Sequence, residues 1–123
     1  MHISPEQAQA LKQPVIDAFP ARAARFLQAE YPALARRVGP QALDAFVAHG
    51  LQRAAIHGFA SERDIVQYLL VMLHLGPRFD EDAALIALQP FLDPRSPMHA
   101  QWRLNVLLAA ARRRPEPEAR RAN

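Results

Sequence analysis

His49, Arg53 and His57 recur at every fourth residue and are the first candidates for chemistry in this chain. On a helix they fall on one stripe, with two imidazoles about two turns apart and a guanidinium between them. Zinc ligands on a helix occupy adjacent turns, as in H-E-x-x-H, and a cation at the intervening turn works against a second one. The stripe therefore reads as two half-exposed histidines flanking an apolar face, with no metal. His74 falls near the end of a second apolar helix, where an imidazole interacts well with the helix dipole, and it reads as structural. Asp80-Glu81-Asp82 gathers three carboxylates. A calcium loop needs ligands spread over about 12 residues around a central glycine, and glycoside chemistry needs two carboxylates across a cleft. Neither pattern follows here, and the acids suit the start of a helix at Ala83. No G-x-S-x-G elbow, phosphate loop or dinucleotide fingerprint occurs, and no nucleophile has a paired base. No catalytic residue, enzyme activity or cofactor is expected.

The chain has 123 residues, enough to bury one continuous core, and no cysteine, which excludes disulfides and thiolate metal sites. The start, Met1-His2-Ile3-Ser4-Pro5-Glu6, lacks the basic and apolar stretches of a secretory signal. The longest apolar run, residues 65–75, contains Gln67, Tyr68 and His74 and falls short of the roughly 20 residues a bilayer requires. A cytoplasmic protein without membrane contact is the expectation. Its pI of 10.2 invites a nucleic-acid reading, so the location of the charge matters. Residues 112–123 hold five arginines against two glutamates, a net +3, and residues 1–111 are neutral. A duplex reader concentrates positive charge on a folded face, and this body has no excess to supply one. Residues 112–123 read as an Arg-rich, disordered tail behind a single helical domain of residues 1–111.

The elements that must position these side chains are helical throughout. Ser4-Pro5 opens a short helix with a cap and a proline at the first helical position, and Pro14 ends it near Lys12. A second helix begins near Pro20, with Phe19, Ala23, Phe26, Leu27 and Tyr31 on one face, until Pro32 interrupts it and a short turn runs to Val38. Gly39-Pro40 opens a helix in which Leu43, Phe46, Val47, Gly50, Leu51 and Ala54 keep the helical period, and Gly58 suits its left-handed end. Gly50 inside this stripe implies close approach of a neighbouring helix. Ser61 caps the next helix, which is apolar nearly all round and therefore central, and Gly76-Pro77 ends it. Residues 78–82 form a loop, followed by a helix at 83–89 that continues to Leu92 if Pro90 kinks it. Ser96-Pro97 starts a last helix to about Arg113. The fold class is all-α, a compact bundle of five or six helices.

Helices 40–57 and 62–75 have the lengths of a helix-turn-helix, yet the second offers only apolar side chains where a recognition helix needs polar ones. Nucleic acid is disfavoured as a partner. Residues 43–82 carry a more specific pattern. His49-Gly50 and Ala54-Ala55-x-His57-Gly58-Phe59 are followed by Ser61-Glu62-x-Asp64-Ile65-x-x-Tyr68-Leu69, Met72-Leu73-x-Leu75-Gly76 and Phe79-Asp80-x-Asp82. This pattern resembles small proteins encoded beside VgrG spikes, PAAR tips and effector adaptors in type VI secretion clusters, with residues 98–108 fitting loosely. The resemblance implies a non-enzymatic cytoplasmic co-chaperone that helps an effector-adaptor chaperone load a secreted effector onto the VgrG/PAAR spike. In those proteins Pro and then Trp follow the Phe-Asp-x-Asp loop; here Ala83-Ala84-Leu85-Ile86-Ala87 stands instead, so no role of those positions carries over.

A protein-binding module needs an exposed apolar patch. The excess apolar positions Val66, Leu70 and Val71 are the candidates, together with Arg78, Phe79, Asp80 and Asp82 of the following loop. Two other readings stand beside this one. The basic tail could serve a small nucleic-acid-binding regulator, or the acidic loop could block the active site of a neighbouring toxin in an immunity protein.

Overall fold

The computed structural model describes the backbone of residues 5–113 and the side chains of residues 18–113. Five α-helices follow one another: α1 Pro5–Glu30, α2 Pro32–Val38, α3 Leu43–Ile56, α4 Glu62–Leu75 and α5 Ala100–Arg113. Two 3-10 segments, Phe79–Glu81 and Ala83–Phe91, join α4 to α5. Among the described residues there is no strand, so the fold is the all-α bundle that the punctuation implied. No helix among them is long and apolar enough to cross a membrane.

α4 is the hub. It packs along α5 and also touches α1, α2 and α3. The six consecutive residues Tyr68, Leu69, Leu70, Val71, Met72 and Leu73 are all buried, which is why this helix is apolar on every side. Each fully buried side chain of this size contributes about 1.5–3 kcal/mol. Ser61 caps α4 as expected, its hydroxyl accepting the Asp64 N–H at 3.0 Å. Gly76, at φ +106°, ends the helix.

α3 ends in a complete Schellman motif. The Gly58 N–H reaches the Ala55 carbonyl and the Phe59 N–H reaches the Ala54 carbonyl, with Gly58 at φ +84°. This motif drives the Phe59 ring into the core, where it is fully buried. The close approach expected at Gly50 is present: a Cβ there would run into Leu69 Cδ2 and lie 3.0 Å from Met72 Sδ.

Four boundaries differ from the sequence reading. α1 is one helix through Pro14 and Pro20 where a break was expected. An interior proline costs about 3 kcal/mol, an amount that tertiary packing can outweigh, and Ala23, Ala24 and Leu27 beyond Pro20 are buried in the core. Phe26, placed on the inner face by periodicity, is 42% exposed. α3 starts at Leu43 because residues 40–42 form a turn closed by the Ala42 N–H on Gly39 O. The segment after Asp82 is 3-10, not α, with non-helical backbone at Leu85 and with Pro90 inside it. α5 begins at Ala100, since Ser96 accepts the Met98 N–H and closes a local turn before the helix. Arg112 and Arg113, expected to begin a disordered tail of residues 112–123, are the last residues of α5; the rest of that tail and the capping role of Ser4 lie outside the described residues.

Candidate functional site

The stripe His49-Arg53-His57 is real, but the fold gives its members separate jobs. Asp80, expected on a solvated acidic loop, has a side chain with 0% exposure and lies against α3. Its Oδ2 accepts from Arg53 Nε at 2.6 Å and from His57 Nε2 at 2.8 Å. His57 Nδ1 faces the Leu92 carbonyl at 2.8 Å. Both of these oxygens are acceptors, so each ring nitrogen of His57 faces a hydrogen-bond acceptor. Gln89 Nε2 donates to the Asp80 carbonyl at 2.7 Å and fixes the same loop from the other side. His57 is thus buried at the centre of a charged cluster, correcting the half-exposed position expected for it.

Aromatic rings enclose the cluster. Tyr68 packs against His57, Phe59 and Phe79 at centroid distances of 5.8, 5.9 and 5.3 Å. Burial pushes the Tyr68 phenol upward from its ordinary pKa, and the charge of Asp80 adds to that, so the hydroxyl keeps its proton. For Asp80 burial acts upward, but the hydrogen bonds from His57 and Arg53 and their charges outweigh it and hold the carboxyl below the usual carboxylate range. Beside this cluster lies Arg103, which is 3% exposed and was not singled out by periodicity. Its Nη1 donates to the carbonyls of His57, Phe91 and Asp93, and its guanidinium lies 4.6 Å from the Phe59 ring centre. One cation on α5 thereby ties together the ends of α3 and of the second 3-10 segment.

This arrangement locks a fold. Both nitrogens of His57 are engaged within it. His49 does not converge with it: its Nε2 lies 3.0 Å from the Pro77 carbonyl. Among the described residues no group of three or more His, Cys, Asp or Glu side chains is placed to hold a metal ion.

The residues expected to form an exposed patch are divided by the structure. Val71 is fully buried, Phe79 is 1% exposed and Leu70 is 6% exposed, so these three belong to the core. The physical reason is the central position of α4, which uses its excess apolar side chains internally. Val66, half-buried, lines with the edge of Leu70 a shallow groove between α1 and α4, beside Phe19 and Phe26. Asp82 is exposed and caps the second 3-10 segment by accepting the Ala84 N–H at 2.9 Å. Arg78 is exposed and makes no ion pair among the described residues.

Arg78 borders a groove of about 620 Å³ between α2, α3 and the end of α4. Its volume lies within the range of ligand clefts. Leu34 and Val38 of α2, Phe46 of α3, and Met72, Leu73 and Leu75 of α4 supply its apolar lining. Ala42 and Ala45, both exposed, form the α3 side together with His49. Among the described residues, Arg37, His49, His74 and Arg78 are the ionisable side chains of the lining. Arg37 Nη2 lies 3.5 Å from the Leu73 carbonyl in the last turn of α4. Sequence reasoning placed only Arg78 here. Arg37, Phe46, His49 and His74 come from three helices, and no linear pattern signals their meeting. No protein-family model, curated protein or solved structure matches this chain.

Proposed function

We propose that this chain is a non-enzymatic, protein-binding accessory protein, a cytoplasmic co-chaperone that assists an adaptor in loading a type VI secretion effector onto the VgrG/PAAR spike. One observation carries the binding role: the groove between α2, α3 and α4, open to solvent and lined by apolar side chains from three packed helices. Grooves of this size and apolar lining can accept a helix or an extended segment of another protein. The secretion context is supported by the resemblance of residues 43–82 alone. Several residues that carry it, His57, Gly58, Phe59, Tyr68, Phe79 and Asp80, build the buried cluster. The shared pattern therefore describes a scaffold, and the contact surface lies beside it.

The test is co-expression with the adaptor and effector encoded next to it, followed by size exclusion. A complex is expected, and Ala45→Arg, which fills the groove from an exposed position, is expected to abolish it with an unchanged melting temperature. No complex with either neighbour would sink the secretion reading. A complex indifferent to Ala45→Arg would remove the groove as its site.

A further inference from the structure

A second face of the molecule, built by α1 and the first turns of α4, also leaves apolar surface open. On α1, Phe19, Arg22, Phe26 and Glu30 recur at intervals of three and four residues and so share one stripe. On α4, Arg63, Val66 and Leu70 do the same. Between the stripes runs a trough of about 450 Å³. Phe26 stands beside it, 42% exposed, with its ring edge-on to Tyr31 at 6.3 Å. A single exposed phenylalanine is ordinary on a protein surface. This one is not single, because Phe19 and Val66 are half-buried in the same trough and the edge of Leu70 floors it. A protruding ring thus lies next to an apolar hollow.

The direction of the helices gives this face a polarity. Arg22 meets Glu62 in the first turn of α4 at 3.3 Å, while Leu34 and Arg37, just past the end of α1, lie against the last turns of α4. α1 and α4 therefore run in the same direction. Arg22 and Glu62 neutralise each other, which leaves Arg63 at one end of the trough and Glu30 beyond the other. Both are exposed, and neither makes an ion pair among the described residues. Phe26 stands midway, about 6 Å along the helix from the levels of Arg22 and of Glu30.

We propose that this face is a dimer interface whose occupant is the same face of a second copy. A two-fold axis through the middle of the trough reverses its direction in the other copy, as an isologous contact requires. Each Arg63 then meets Glu30 of the second copy, and each Phe26 ring enters the opposite trough beside Val66 and Leu70. Any other partner has to present the reversed order of charge by its own design, whereas a second copy presents it by symmetry. Two helix stripes of about three turns make a patch at the low end of interface sizes, so the dimer is weak and reversible. None of the residues that line the trough lines the groove between α2, α3 and α4, so this inference and the function proposed above stand or fall separately.

Sedimentation velocity of the full-length protein, from about 5 to about 500 µM, tests it. A reversible monomer–dimer equilibrium is expected, and Phe26→Asp, with its melting temperature checked, is expected to leave only monomer. Arg63→Glu and Glu30→Arg should each weaken self-association about tenfold, because both symmetric contacts become like-charged. An equimolar mixture of these two variants should recover a dimer of wild-type strength, since every contact in the mixed pair again joins opposite charges. An effect confined within one chain gives no such recovery. Monomer throughout the range, or an assembly other than a dimer, overturns the proposal. So does a dimer that survives Phe26→Asp, a dimer that Ala45→Arg dissolves, or a mixture that associates no more tightly than its components. If Phe26→Asp fails to fold, the mixing experiment decides alone.

Discussion

Asp80 shows how one carboxylate can be worth more than its neighbours. Glu81 and Asp82 beside it are exposed, whereas Asp80 carries two charge-assisted hydrogen bonds on one buried oxygen. Removing one member of a buried ion pair leaves the others uncompensated, a loss of about 3–5 kcal/mol. Arg53 is 25% exposed and regains some hydration, which puts Asp80→Asn near the lower end, about 3 kcal/mol in a urea melt. The same residue sets an acid limit. Its folded pKa lies below the unfolded value, so its contribution is complete above that value and is lost as pH falls through the folded one. Stability is therefore expected to drop below about pH 4 in the wild type, and this part of the drop should be missing in Asp80→Asn. A pH series of urea midpoints for both proteins reads it directly. This burial also bears on the immunity reading, since only Glu81 and Asp82 of the acidic loop face outward.

Helix α3 meets α4 through Gly50, and the fit there leaves no space for one more carbon. Alanine would improve the helix by about 1 kcal/mol, yet its Cβ collides with Leu69, and overpacking a filled core costs about 1–3 kcal/mol. Leu69 is fully buried and has little freedom to yield. Gly50→Ala is expected to destabilise by up to about 2 kcal/mol, and a partner change Leu69→Ala should recover part of that loss. A double-mutant cycle on thermal unfolding measures the coupling. If the two changes add without interaction, the close approach at Gly50 is not what constrains this position. The spacing and capping signals around Gly58 and Ser61 were legible in the sequence because they act through neighbouring backbone groups. The α1 boundary was not, because a proline's local cost is weighed against packing made far along the chain.

The molecule as a whole is organised about α4, which four other helices cover. Hydrogen exchange should therefore find the slowest amides in the stretch 68–73, where every side chain is buried. Amides of the second 3-10 segment should exchange faster, since it is buried only at Leu85. Equal protection in the two would contradict α4 as the last element to open. A rigid hub also suits a binding role. The groove walls belong to α2, α3 and the C-terminal turn of α4, so a partner meets a surface already formed.

Residue pattern was enough to fix the helical class, the central apolar helix, the capping serine and the glycine-ended turn of α3. These depend on periods of three to four residues and on backbone chemistry within one turn. The Asp80–His57–Arg53 cluster was half visible, as a stripe on one helix and an acidic loop elsewhere. That they belong together follows from chain reversal after Gly76, which brings residue 80 back against residues 53 and 57. The buried Arg103 and the groove between α2, α3 and α4 had no linear signature at all. Both exist only where separate helices converge, and such meetings depend on packing angles that no single helix encodes.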